Sequence, residues 1–151
     1  MSNSKSDTFE NSFLTLIFHN TETQYGYGAS AASGSLYVSL HTSDPTESIV
    51  SQETSEADYS GYTRKGISRN DSNWSITAVG TPATTTATNI NQIDYPMSLG
   101  AGTTLTHFVI GTEATGAGKP LFYGELSAPI AVGGAGIQPY IPAGGITVTE
   151  E

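Results

Sequence analysis

The stretch Ser35–Glu47 reads SLYVSLHTSDPTE. Apolar and polar residues alternate through its first half and then the alternation stops. Leu36, Val38 and Leu40 point one way and Tyr37, Ser39 and His41 the other, the period of a strand with a core on one face. Pro45 has no N–H to give a ladder, and Ser43 and Asp44 favour a turn, so the strand ends at about His41. The same stop bunches His, Thr, Ser and Asp together. The stretch is therefore either the rim of an active site or a strand that runs into a turn.

As chemistry, His41 would be a general base, Asp44 its orienting carboxylate, and Ser39 or Ser43 the nucleophile. Residues this close across a strand end have no assured alignment, and no strained nucleophile turn accompanies them. The nearest match, Gly28-Ala-Ser30-Ala-Ala32, lacks the final glycine of G-x-S-x-G. The short side chains of Thr42, Ser43 and Asp44 have a simpler role in bonding neighbouring main chain in a turn. The strand-end reading is the better one, and no catalytic residue is assigned.

Working outward from this strand, the period of two recurs. Strands are expected over Tyr62–Ser68, Trp74–Ala78, Thr84–Ile93, Thr103–Thr112, Pro120–Leu126, Ile137–Ile141 and Ile146–Glu150, separated by Gly, Pro and Asn-Asp clusters. Thr103–Thr112 is apolar on both faces, Leu105 and Val109 one way and Phe108 and Ile110 the other, which marks a central strand. Upstream the period changes to that of a helix: Phe9, Phe13, Leu16 and Ile17 share one face, and Leu14 and Phe18 widen it. Asp7 followed by Glu10 resembles a capping box. The expected fold is mainly β, an antiparallel β-sandwich or jelly-roll-like sheet pair with one short N-terminal α-helix over about 8–19. A polar arm over residues 1–7 precedes a single domain over 8–151. Thr21–Gly34 reads as a loop.

Composition narrows the function classes. A chain of 151 residues buries roughly 68–70% of its unfolded surface and needs no cross-link to fold. It contains no cysteine, which excludes thiol catalysis, cysteine zinc sites and disulfides. Fourteen acidic residues against five basic ones give a net charge of −9, which repels a phosphate backbone. Arg64, Lys65 and Arg69 are close in sequence but suit local ion pairs better than a nucleic-acid site. The start, MSNSKSDTFENSF, lacks the charged and apolar regions of a signal peptide, and no run approaches the ~20 apolar residues of a membrane helix. Neither nucleic acid nor membrane is an expected partner.

The remaining motifs fail on their own terms. Gly26-Tyr-Gly28-Ala-Ser-Ala31 fits G-x-G-x-x-A without the βαβ unit that a dinucleotide requires. Gly116-Ala-Gly118-Lys119-Pro120 resembles a phosphate loop, yet Glu113 replaces the first glycine and Pro120 the hydroxyl residue, so it reads as a turn. His19, His41 and His107 have no metal-ligand spacing. Glu47, Glu53, Glu56 and Asp58 lack the pattern of a calcium loop and read as a solvated loop. No cofactor or metal is expected. Trp74 and the tyrosines could form a sugar platform, but core or interface packing is the plainer reading.

Taken in order, FENSFLTLIF, SLYVSLHTSDP, ETSEADYSGYTRKGISR, TLTHFVIGT, PLFYGEL and IPAGGITVTEE resemble a family of small phage and prophage virion proteins. The resemblance spans nearly the whole chain, and LYVSLHTSDP with the Glu53–Arg64 segment is its most specific part. Members are often labelled tail-fibre-like, and relatives of this type serve as capsid decoration or cement proteins. The chain departs from that pattern in the Thr/Ala/Asn-rich stretch Thr81–Gln92 and the polar arm Met1–Asp7. The resemblance implies a non-enzymatic virion structural protein, assembled in the host cytoplasm. Its expected role is capsid decoration at the capsid surface, with the major capsid protein and copies of itself (dimer or trimer) as partners. A tail or tail-fibre protein is the alternative, and a carbohydrate-binding receptor module a more distant one. Phe9, Phe13, Ile17, Tyr25 and Tyr27 are the expected interface residues.

Overall fold

The computed structural model describes residues 5–21, 34–80 and 83–150, and the structural statements that follow concern those residues. In chain order the elements are α1 (Asp7–His19), β1 (Ser35–His41), β2 (Lys65–Ser68), β3 (Trp74–Gly80), β4 (Ala83–Asn89), β5 (Ile93–Asp94), β6 (Thr104–Gly111), β7 (Pro120–Ala131), β8 (Tyr140–Ile141) and β9 (Thr147–Glu150). A four-stranded sheet runs β2-β1-β6-β7, a three-stranded sheet β3-β4-β9, and β5 and β8 form a short ribbon. All the strand pairs are antiparallel. The protein is mainly β with one helix, a sandwich-like arrangement. Among the described residues, no helix is long and apolar enough to cross a membrane.

One core unites these elements. Leu36, Val38 and Leu40 of β1 join Phe108 and Ile110 of β6, Trp74 of β3, Ala87 of β4 and Val148 of β9 in a single buried cluster. The helix closes it. Leu14 and Phe18 are fully buried, and the Phe18 ring lies 4.6 Å from Trp74 in one sheet and 5.7 Å from Phe122 in the other. A ring touching both sheets removes a large apolar area from water, worth about 3–5 kcal/mol against alanine.

Several details differ from the expectation. The helix is capped by Ser6, whose hydroxyl accepts from the Phe9 N–H at 3.3 Å, so Asp7 is its first residue rather than its cap. Its buried face is centred on Glu10, Leu14 and Phe18, while Phe9 stays exposed and Phe13 and Ile17 are half-buried. The helix ends at Asn20, which takes the left-handed conformation and donates its N–H to Leu16 at 3.1 Å. Arg69 caps the same end by donating to the carbonyls of Leu16 and Ile17. Along β6, a register shift between Leu105 and His107 brings Leu105 into the core with Phe108, and Val109 faces the other way. The expected strand Thr84–Ile93 is broken after Asn89. The buried side chain of Asn89 donates to Asn91 and Pro142 and accepts from the Ile146 N–H at 2.8 Å, and this turns the chain. Conversely, β7 runs on past Leu126 to Ala131, and β2 begins only at Lys65.

Candidate functional site

The polar face of β1 does bring a serine and a histidine together. Ser39 Oγ lies 2.9 Å from His41 Nε2, and His41 Nδ1 lies 2.8 Å from the Thr54 carbonyl. A carbonyl can only accept, so Nδ1 carries the proton and Nε2 is left to accept from the Ser39 hydroxyl. The third group of a triad would be a main-chain carbonyl here, not Asp44. Asp44 instead accepts from the Thr46 N–H at 2.9 Å, the turn contact that its sequence position favours. Ser39 and His41 are both 0% exposed. No substrate atom can reach the hydroxyl. Burial lowers the His41 pKa from its ordinary value and keeps the ring neutral.

This pair is sealed by the loop after β1, which folds back over the sheet. Arg64 grips Glu56 with two bonds of 2.7 Å, and two further donors reach the carbonyls of Glu113 at 3.0 Å and Gly116 at 2.7 Å. Tyr62 donates to Glu56 at 3.0 Å and accepts from the Leu40 N–H at 3.0 Å. The Glu56 carboxylate raises the Arg64 pKa, and burial raises that of Tyr62. Beside them Gln52, fully buried, donates from Nε2 to Tyr37 O at 3.3 Å and accepts from the Glu113 N–H at 3.2 Å. Its own N–H donates to Ala117 at 2.6 Å. The loop, β1 and the β6–β7 turn are thereby stitched into one polar clasp. A two-bond arginine–carboxylate pair in which all three guanidinium nitrogens are hydrogen-bonded is a rigid fastening.

The aromatic residues are mostly part of the same scaffold. Tyr59, Tyr62 and Tyr95 pack on one another with ring centres 5.3 and 6.3 Å apart, and Tyr59 and Tyr95 donate to the carbonyls of Pro96 and Val38. Burial pushes the Tyr59 hydroxyl up to about 12 and raises that of Tyr95. Trp74 is fully buried, which removes it from any sugar platform, and leaves Tyr123 and Tyr140 as the exposed rings of that type among the described residues.

The other expected positions are dispersed. Tyr25 and Tyr27, with most of the Thr21–Gly34 loop, lie outside the described residues. Phe9 and Phe13 stack at 6.4 Å on the rim of the helix. His19 faces the Trp74 carbonyl at 2.7 Å, and His107 lies beside His41 in the sheet register and bonds Thr106 at 2.8 Å. Of the loop acids, Glu56 is taken by Arg64 while Glu47, Glu53 and Asp58 are exposed. Among the described residues no three His, Asp or Glu side chains converge as metal ligands would. The clasp's key member, Gln52, escapes any sequence reading. The opposite charges Glu56 and Arg64 on the arms of one loop were its visible trace. The apolar side chains left to solvent include Val50, Val79, Met97 and Leu99.

A protein-family model described as Podophage GP4 fiber I protein gp80 matches residues 4–149. No curated protein matches the chain. The match runs through every element described above, and the chain belongs to this family of phage fibre proteins, structural components of the virion.

Proposed function

We propose that this phage fibre-family chain is a non-enzymatic, self-associating subunit of a fibre carried on the virion. The family match over residues 4–149 carries the reading. The clasp supports it, because the residues that resemble chemistry are spent on holding a loop to a sheet. Ser39 and His41 are sealed from solvent, and Glu56, Tyr62 and Arg64 satisfy one another. The neutral rim of the helix, with Phe9 exposed and Phe13 and Ile17 half-buried, is one surface for subunit packing.

Capsid decoration, with the major capsid protein as partner, is the second reading. It is favoured by the low content of charged residues, 13% of the chain, since a mostly neutral subunit can cover a lattice without depending on salt. Copy number separates the two. Gel densitometry of intact particles against the major capsid protein should give copies set by the number of fibres. A ratio that scales with the capsid lattice, together with a raised melting temperature of decorated heads, would replace the fibre role by decoration. A hydrolytic activity lost on His41→Ala would overturn both.

A further inference from the structure

The two sheets have four outer strands, and three of them carry features that discourage pairing with another chain. β2 is four residues long and begins with Lys65. β7 contains Pro120 and Pro129, a charge at Glu125, and register shifts along its pairing with β6. β9 is also four residues long and ends at Glu150, which pairs with Lys5. Short edges, prolines, bulges and charges are the usual means of blunting a sheet edge. β3 has none of them. Trp74–Gly80 is a seven-residue strand, WSITAVG, without proline or charge, and the exposed residues along it include Val79 at 67%.

The hydrogen bonds show which of its main-chain groups are available. Ile90 N–H donates to Asn73 O at 2.8 Å, and Trp74 N–H turns away from β4 to Asn70 O at 3.1 Å. Antiparallel pairing alternates, so Ser75, Thr77 and Val79 bond to β4 while the N–H and C=O of Ile76 and Ala78 point outward. The contact of Thr86 Oγ1 with Thr77 O at 3.4 Å agrees with that assignment. At Trp74 this outer side is engaged, its N–H by Asn70 O and its carbonyl by His19, whereas among the described residues no hydrogen bond reaches the outward groups of Ile76 and Ala78.

We infer that β3 is a self-pairing edge, joined antiparallel to β3 of a second copy so that two three-stranded sheets become one of six strands. The inference rests on the self-association proposed above and names its surface. The occupant follows from charge and symmetry. Copies with a net charge of −9 repel one another, and pairing β7 with itself would bring Glu125 toward its own image. β3 meets its image with nothing but Ser, Ile, Thr, Ala and Val, and a strand paired about a two-fold axis is its own complement. The outward groups of Ile76 and Ala78 bond to each other's images when the axis passes through Thr77. That places two Thr77 residues opposite each other as a non-hydrogen-bonded pair, with Cα atoms about 4.5 Å apart. Threonines so placed make a favourable cross-strand pair.

The absence of cysteine makes this testable with one substitution. A disulfide spans Cα separations of about 4.4–6.8 Å, so T77C of the full chain should form a covalent dimer under mild oxidation. S127C, exposed on β7, should not. Ala78→Pro removes an outward donor and leaves the β3–β4 ladder intact. It should lower the solution mass measured by light scattering with an unchanged far-ultraviolet spectrum. Thr77→Lys, which faces its own image across the axis, should do the same, and mixing it with Thr77→Glu should restore the larger species. A wild-type chain that is oligomeric while all these variants keep its mass and T77C stays uncrosslinked overturns the β3 edge and leaves self-association standing. A wild-type chain that is monomeric at every concentration overturns both.

Discussion

The polar clasp makes a sharp claim about Gly111. This residue lies in β6 directly beneath the Gln52 carboxamide, and its φ lies outside the left-handed region, so alanine meets no backbone objection. A Cβ there would sit 2.1 Å from Gln52 Cδ and 2.3 Å from Oε1. Something must move, and the three nearest atoms all belong to the Gln52 carboxamide. Expelling its side chain breaks the bonds to Tyr37 O and from Glu113 N–H and leaves both groups short of a partner. At ~1 kcal/mol for each lost bond and a further ~1 kcal/mol or more for the stranded groups, Gly111→Ala should destabilise by about 2–4 kcal/mol. Gln52→Ala alone loses the same bonds and should cost a similar amount. The double variant should cost little more than Gln52→Ala, because the added methyl enters space that the carboxamide has left. Urea unfolding of the four proteins at one fixed chain concentration gives the cycle, with an expected coupling of about 2 kcal/mol. Simple additivity of the two single effects would refute the clasp as described.

Other outcomes follow from the same structure. Because burial depresses the His41 pKa, its neutral form contributes stability fully above the unfolded value near 6.5 and loses it as pH falls through the lower folded value. Thermal midpoints should therefore drop between pH 7 and pH 5, and His41→Gln should flatten that dependence. At the alkaline end Tyr59, pushed up to about 12, stabilises the fold below pH ~10 and stops doing so as pH rises toward 12, which tyrosinate absorbance during alkaline unfolding will follow. Phe18→Ala should cost about 3–5 kcal/mol in denaturant unfolding, whereas Phe9→Ala, on the helix rim, should cost about 1 kcal/mol or less. Association through an uncharged surface between acidic copies should strengthen when salt rises from low to physiological strength, because screening shortens the Debye length from about 30 to about 8 Å. Sedimentation that shows dissociation over that range would contradict it.

Local patterns made much of the fold legible. The alternation in SLYVSLH and the two-faced apolarity of TLTHFVIG both report strands, and each places a face in the shared core. The helix was visible too, but its orientation was not. Phe9, Phe13, Leu16 and Ile17 are the more apolar face by count, yet Leu14 and Phe18 are the residues that reach Trp74 and the second sheet. Apolarity counts cannot weigh one deep contact against several shallow ones. Nor could periodicity locate the register shift before His107, which is set by pairing between strands. The site was harder still. His41 and Asp44 are close in sequence and take different partners, whereas Gln52 meets Tyr37 and Glu113 only because the loop folds back. Long-range hydrogen bonds leave almost no trace in a single sequence.

The distribution of charge connects the clasp to the edges. Of the five basic residues, Arg64 is held by Glu56, Arg69 by the carbonyls that end the helix, and Lys5 by Glu150. Positive charge is thus used to fasten the chain to itself, and the acidic surplus is left outside on residues such as Glu47, Glu53 and Asp58. Such a surface cannot recruit further copies by attraction between charges. The association proposed above would therefore run through neutral surface, and the main-chain groups of a strand edge are what neutral surface offers with direction as well as area. Loops and edges have opposite needs in this respect. A long polar loop is held in one place by buried, fully satisfied side chains. With the loop clasped over one face of β1 and β6, the exposed main chain of β3 is left as the place where the sheet can continue.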